Sequence, residues 1–134
     1  MTSIITIEGI GEKYAAELNE IGIKSVEDLL QAGASPKGRQ EIAEKTGISE
    51  KLVLEWTNRA DLFRIKGVGE EYSDLLEAAG VDTVVELAQR NAENLYQKMV
   101  VTNEEKKLVR KLPTAAQVAA WIEQAKALPR IMTY

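Results

Sequence analysis

The 134-residue sequence predicts an all-α protein built from two copies of one four-to-five-helix unit. Three observations carry that expectation. Apolar residues recur at helical spacing between capping signatures. No stretch alternates with period two, so no sheet of consequence is expected. A long segment also repeats: Ile7-Glu8-Gly9-Ile10-Gly11-Glu12-Lys13-Tyr14 returns 58 residues later as Ile65-Lys66-Gly67-Val68-Gly69-Glu70-Glu71-Tyr72. Residues 7, 9, 11, 12, 14, 18, 22, 26, 29 and 31 are identical at that offset. Further on, Val53, Trp56 and Ala60 align with Val118, Trp121 and Ala125, and Leu62-Phe63-Arg64-Ile65 resembles Leu128-Pro129-Arg130-Ile131. The units are therefore placed at 1–64 and 65–134, the second carrying an insertion.

In the first unit, Tyr14, Ala15, Leu18 and Ile21 mark a helix that Gly22 ends. Ser25-Val26-Glu27-Asp28 reads as a capping box with Asp in place of Glu or Gln, opening a helix through Leu29 and Leu30. Ser35-Pro36 is an N-cap and N1 pair for a helix ending near Gly47. Ser49 caps a longer helix through Leu52, Val53, Trp56 and Ala60. In the second unit a helix runs over Val68–Ala79, and Thr83-Val84-Val85-Glu86 caps the next. Asn91 caps a helix reaching Val100, and Thr102-Asn103-Glu104-Glu105 is read as the start of another. Leu112-Pro113 breaks the chain, and Thr114-Ala115-Ala116-Gln117 caps a last helix to about Leu128. That last helix, Thr114 to Leu128, is expected to pack beside the first glycine turn and close a single pseudo-two-fold domain. If it reaches a neighbouring chain instead, a homodimer results.

Composition excludes several chemistries. There is no cysteine and no histidine. Disulfides, thiolate or imidazole metal sites, and Ser-His or cysteine nucleophiles are all ruled out. The acidic residues fall in no metal-ligand motif. No metal, no cofactor and no enzymatic activity are expected. Lys and Arg number 17 against 21 Asp and Glu, for a net charge of −4, so no global basic footprint is visible. No apolar run approaches a membrane span. The start has no basic segment followed by a long apolar one, so a cytoplasmic protein with no membrane partner is expected.

The pattern apolar-x-Gly-apolar-Gly before a helix carries the most chemical meaning. Closely spaced glycines let the backbone turn sharply and approach another molecule. The following helix presents unpaired N–H groups and the positive end of its dipole, a cradle suited to phosphate. The candidate residues are Gly9, Ile10, Gly11 and Lys13 in the first copy, and Lys66, Gly67, Val68 and Gly69 in the second. A bland alternative stands beside this: the glycines only turn the chain, and Ile10 and Val68 fill the core. Tyr14, Tyr72, Trp56 and Trp121 are read as core anchors. A 100° step over residues 106–112 places Lys106, Lys107, Arg110 and Lys111 on one helical arc, opposite Leu108, Val109 and Leu112. This basic stripe either meets phosphates or is an ordinary solvated face.

The segments Ile7–Leu18, Gly22–Leu30 and Thr46–Glu50 resemble a helix-hairpin-helix protein, of the SAM-like type found at the N-terminus of archaeal and eukaryotic recombinases. The duplicated arrangement, with Trp56–Leu62 and Lys106–Pro113, looks like a bacterial domain-of-unknown-function family made of two such units. The resemblance implies sequence-independent binding of the DNA backbone through the hairpin amides. It equally implies a protein–protein interaction role, since many members serve only that. DNA-binding members usually carry a basic residue after the second glycine. Here Glu12-Lys13 is mixed, and Glu70-Glu71 would compete with a phosphate for the same helix end. The expectation is a non-catalytic binding module for DNA, or alternatively a protein scaffold, as monomer or homodimer.

Overall fold

The computed structural model describes residues 2–134 and is all-α, with eight α-helices and no strand among the described residues. An isolated antiparallel bridge joins Ser3 and Ser25. The chain divides into two compact units. One comprises the chain up to Asp61 together with Ile131–Tyr134; the other is Leu62–Arg130. The repeat places 131–134 in the second unit; the last four residues instead pack with the first.

The first unit opens with a 3-10 turn, Ile4–Thr6, followed by α1 (Glu12–Glu20), α2 (Val26–Gly33), α3 (Pro36–Thr46) and α4 (Glu50–Leu62). Local chemistry sets most of these boundaries. α1 ends in a Schellman motif: the Ile23 N–H donates to Leu18 O and the Gly22 N–H to Asn19 O, both at 3.0 Å, while Leu18 and Ile23 are buried together. At α2 the Ser25 hydroxyl accepts from the Asp28 N–H, and the Asp28 carboxylate accepts from the Ser25 N–H, completing a capping box. Ser35 caps α3 with Pro36 at its first position, and the Ser49 hydroxyl accepts from the Leu52 N–H at the start of α4. Ile4, Ile7, Ile10, Leu18, Leu29, Ile42, Val53 and Trp56 are buried in this unit.

A long-range contact fixes the end of α2. Arg39 on α3 is 6% exposed and donates to three carbonyls: Gly33 O at 2.8 Å, Ala34 O at 3.2 Å and Thr133 O at 2.8 Å. The Thr133 N–H donates to Ala34 O, Tyr134 lies 5.5 Å from the guanidinium, and Met132 is buried. Burial pulls the Arg39 pKa down, but a guanidinium holding three carbonyls remains charged.

The second unit contains α5 (Glu70–Ala78), α6 (Val84–Ala88), α7 (Ala92–Lys106) and α8 (Ala115–Ala127). Its core joins Leu62, Ile65, Val68, Leu75, Leu76, Leu87, Leu95, Met99, Val118, Trp121 and Ile122. α8 packs on α6 and α7. Its apolar face, Val118, Trp121, Ile122 and Ala125, belongs to the second unit's own core. Thr83, Asn91 and Thr114 cap α6, α7 and α8 as their sequence signatures indicate.

Thr102 does not begin a helix. α7 continues through it, because Leu95, Met99 and Thr102 share one buried face three to four residues apart. The helix stops at Lys107, which is left-handed with φ 50° and ψ 47°.

Two outcomes follow from these contacts. Truncation after Arg130 removes Met132 and the Thr133 acceptor. It is expected to destabilise the first unit by about 2–5 kcal/mol. In hydrogen exchange, α2 and α3 lose protection while α5–α8 keep theirs. The Lys24 N–H, with help from Ser25, holds the Asp28 carboxyl below its ordinary value of 3.8. A depressed carboxyl contributes stability above its unfolded pKa and loses it as pH falls through the folded one. Denaturant titrations from about pH 5 down to about pH 2 are therefore expected to show a smaller acid loss in Asp28→Asn than in the native chain.

Candidate nucleic-acid interface

Each unit contains a glycine turn with the same backbone construction. In the first, the Ile10 N–H donates to Ile7 O at 3.1 Å and the Ala15 N–H to Gly11 O at 2.9 Å. In the second, Val68 donates to Ile65 O at 3.1 Å and Ser73 to Gly69 O at 2.9 Å. Gly9 has φ 92° and Gly67 φ 95°, in the left-handed region that favours glycine. Ile10 and Val68 are buried at 3% and 5%, beside buried Ile7 and Ile65. Their side chains plug the core, so any contact at these positions is made by backbone.

The helix starts are open. Gly11 is the N-cap of α1 and Gly69 of α5, and neither helix has a side-chain capping bond. The N–H groups of the first turn, at Glu12–Tyr14 and Glu70–Tyr72, have no intrahelical partner. A Cβ built on Gly11 or Gly69 would meet nothing within 4 Å. Both turns thus present unpaired amide donors, the positive end of a helix dipole, and free space for an anion.

The surrounding charge differs between the two. Near the first turn, Lys13 is exposed and Glu12 is the acidic residue of the first helical turn. At the second, Glu70 and Glu71 both occupy the first turn. They favour the helix through its dipole and disfavour an anion there. Lys66 is exposed, and its backbone is clamped by Gln124 of α8: the Lys66 N–H donates to Oε1 at 2.9 Å and Nε2 donates back to Lys66 O at 3.3 Å.

The aromatic pairs lie beneath the turns. Tyr14 and Trp56 have ring centroids 5.0 Å apart and tilted by 58°; Tyr72 and Trp121 are 5.3 Å apart and tilted by 51°. Trp56 and Trp121 are buried, at 2% and 3%. They anchor the core, as their repeated positions indicate.

The basic stripe is placed differently from its sequence reading. Lys106 ends α7, Lys107 is its left-handed cap, and Arg110 and Lys111 lie in the non-helical segment before α8. The four cations do not share a helical arc. The cause is local and mutual. Asn103 takes both backbone groups of Val109: the Val109 N–H donates to Oδ1 at 3.0 Å, and Nδ2 donates to Val109 O at 3.2 Å. Val109 is buried as the anchor of this loop, while Leu108 is 37% exposed. All four cations remain exposed. The Tyr72 hydroxyl donates to Lys111 O at 2.9 Å, so the loop backbone is tied to the first turn of α5, beside Gly67–Gly69. Sequence reasoning missed this tether. The recurring tyrosine was its only signal, and nothing in the pattern named the partner.

Among the described residues no group of three or more acidic side chains is placed to hold a metal ion, and no helix is long and apolar enough to cross a membrane. Hollows of about 290 and 170 Å³ lie against α3, and neither reaches a glycine turn.

These features define an all-α protein with paired, glycine-opened helix starts. A family model described as Domain of unknown function (DUF4332) matches residues 8–128, and the chain belongs to that family. No curated protein and no solved structure matches it.

The two glycines of the first turn are expected to respond differently to substitution. Gly9→Ala forces a side chain into the left-handed region and against the Trp56 indole; it is expected to cost about 1–2 kcal/mol or more. Gly11→Ala meets open space at φ −85° and loses only the N-cap preference of glycine over alanine, about 0.5–1 kcal/mol, less than Gly9→Ala. Urea denaturation of the two variants checks this directly.

Proposed function

We propose that the protein is a non-catalytic module with two helix-hairpin-helix units that binds the DNA backbone without sequence preference. One observation carries this reading: two α-helices begin at uncapped glycines, with free N–H groups and no side chain in the way. The first turn, with Lys13 nearby, is the better phosphate site. In the second unit, the exposed Lys106, Lys107, Arg110 and Lys111 supply cations on a loop whose Lys111 carbonyl accepts from Tyr72 of α5. No feature provides base readout, so contacts of this kind position a duplex without reading it. A second reading has its own support. Glu70 and Glu71 at the second turn, with a net charge of −4, suit a protein-interaction role in which that unit does not engage nucleic acid.

Binding to duplex and single-stranded oligonucleotides at low and physiological salt separates the two. The DNA reading expects salt-dependent binding that is equal for unrelated sequences. Lys107→Glu with Arg110→Glu is expected to weaken it and to flatten the slope of log K against log salt by about 2. Unchanged binding removes the loop from the interface. No binding by the native chain at low salt leaves the protein-interaction reading.

A further inference from the structure

We infer that the indole N–H of Trp56 is a direct donor to the anion held at the first glycine turn, and that Trp121 has the same geometry at the second. This rests on the backbone-binding reading above and adds a side-chain ligand to it.

A buried indole N–H normally finds a hydrogen-bond acceptor, because burying it unpaired is costly. Trp56 and Trp121 are buried at 2% and 3%, yet neither Nε1 donates to any group among the described residues. No fully buried side-chain nitrogen or oxygen among those residues lacks a partner. Each unbonded indole N–H therefore keeps some exposure to the surface. It opens at the turn: Nε1 of Trp56 lies 3.2 Å from where a Cβ on Gly9 would sit, and Nε1 of Trp121 lies 3.1 Å from the same point on Gly67. Glycine leaves that edge of the ring uncovered, and any other residue would cover it.

The same arrangement occurs in both units, on helices that meet their turns independently. Each turn then offers the helix-start amides and one fixed indole donor on a side chain with no freedom to lose. Such a donor suits a phosphate oxygen, which accepts several hydrogen bonds at once. Glu70 and Glu71 weaken the second site, so the first is the operative one.

The chain has two tryptophans, so an ¹H–¹⁵N spectrum of the native protein contains two indole signals. Titration with inorganic phosphate, and then with a short duplex, reads them alongside the amides of Gly11–Lys13. The expected result is a saturable downfield shift of the Trp56 indole proton, following the same curve as those amides and preceding any shift at Trp121. Trp56→Phe keeps the ring and removes the N–H; it is expected to bind the duplex about tenfold more weakly at fixed salt. Amides that shift while the Trp56 indole stays still overturn the indole assignment and leave backbone binding intact. If duplex moves neither, both fall. Should Trp56→Phe fail to fold, the native titration still decides.

Discussion

The edge of a buried tryptophan set against a left-handed glycine is the contact on which the rest of each unit depends. It fixes where the chain turns, because only glycine tolerates that backbone conformation while admitting the ring so closely. The ring also carries the core: Tyr14 or Tyr72 packs on it at about 5 Å, and the apolar residue between the glycines is buried in the same core. Once the turn is held from below, the next helix begins without a side-chain cap. Both helix starts lack a side-chain cap and have open space at their glycine. Structure and binding potential thus share one cause.

The two units build on that contact differently. The first is completed by four residues from the end of the chain, gathered around a buried arginine that satisfies three carbonyls. The second is completed by its own insertion: α7 runs on past the length of α3, and the loop after it is fastened by Asn103 to Val109 and by Tyr72 to Lys111. That loop concentrates exposed cations in a chain of net negative charge. The second unit therefore combines an acidic helix start with a basic loop tethered beside it, whereas the first relies on its turn and Lys13. The two units share one turn geometry and differ in the charge around it.

The sequence made local features legible. Ser25, Ser35, Thr83 and Thr114 cap helices because a cap is decided within four residues, and the glycine turns stand out by repetition. What eluded it was settled over longer distances. Thr102-x-x-Glu105 has the form of a capping box, but burial of the Leu95–Met99–Thr102 face carries α7 straight through it. The helical arc of Lys106 to Lys111 dissolves because Asn103 and the left-handed Lys107 end the helix first. Arg39 looks like a surface residue until the returning chain end supplies its third acceptor, 94 positions away. The open edge of the indoles was equally hidden, since nothing in a sequence distinguishes a tryptophan with a bonded N–H from one without.

The central claim is that the indole–glycine contact holds each turn, and hence its amides, in one arrangement before any ligand arrives. Backbone ¹⁵N relaxation of the free protein tests it most directly. Order parameters near 0.85 across residues 8–13 and 66–71, equal to those of the helices, are the expected result. Values below about 0.6 there, with rigid helices on either side, would contradict a pre-set site and remove the link between the buried rings and binding.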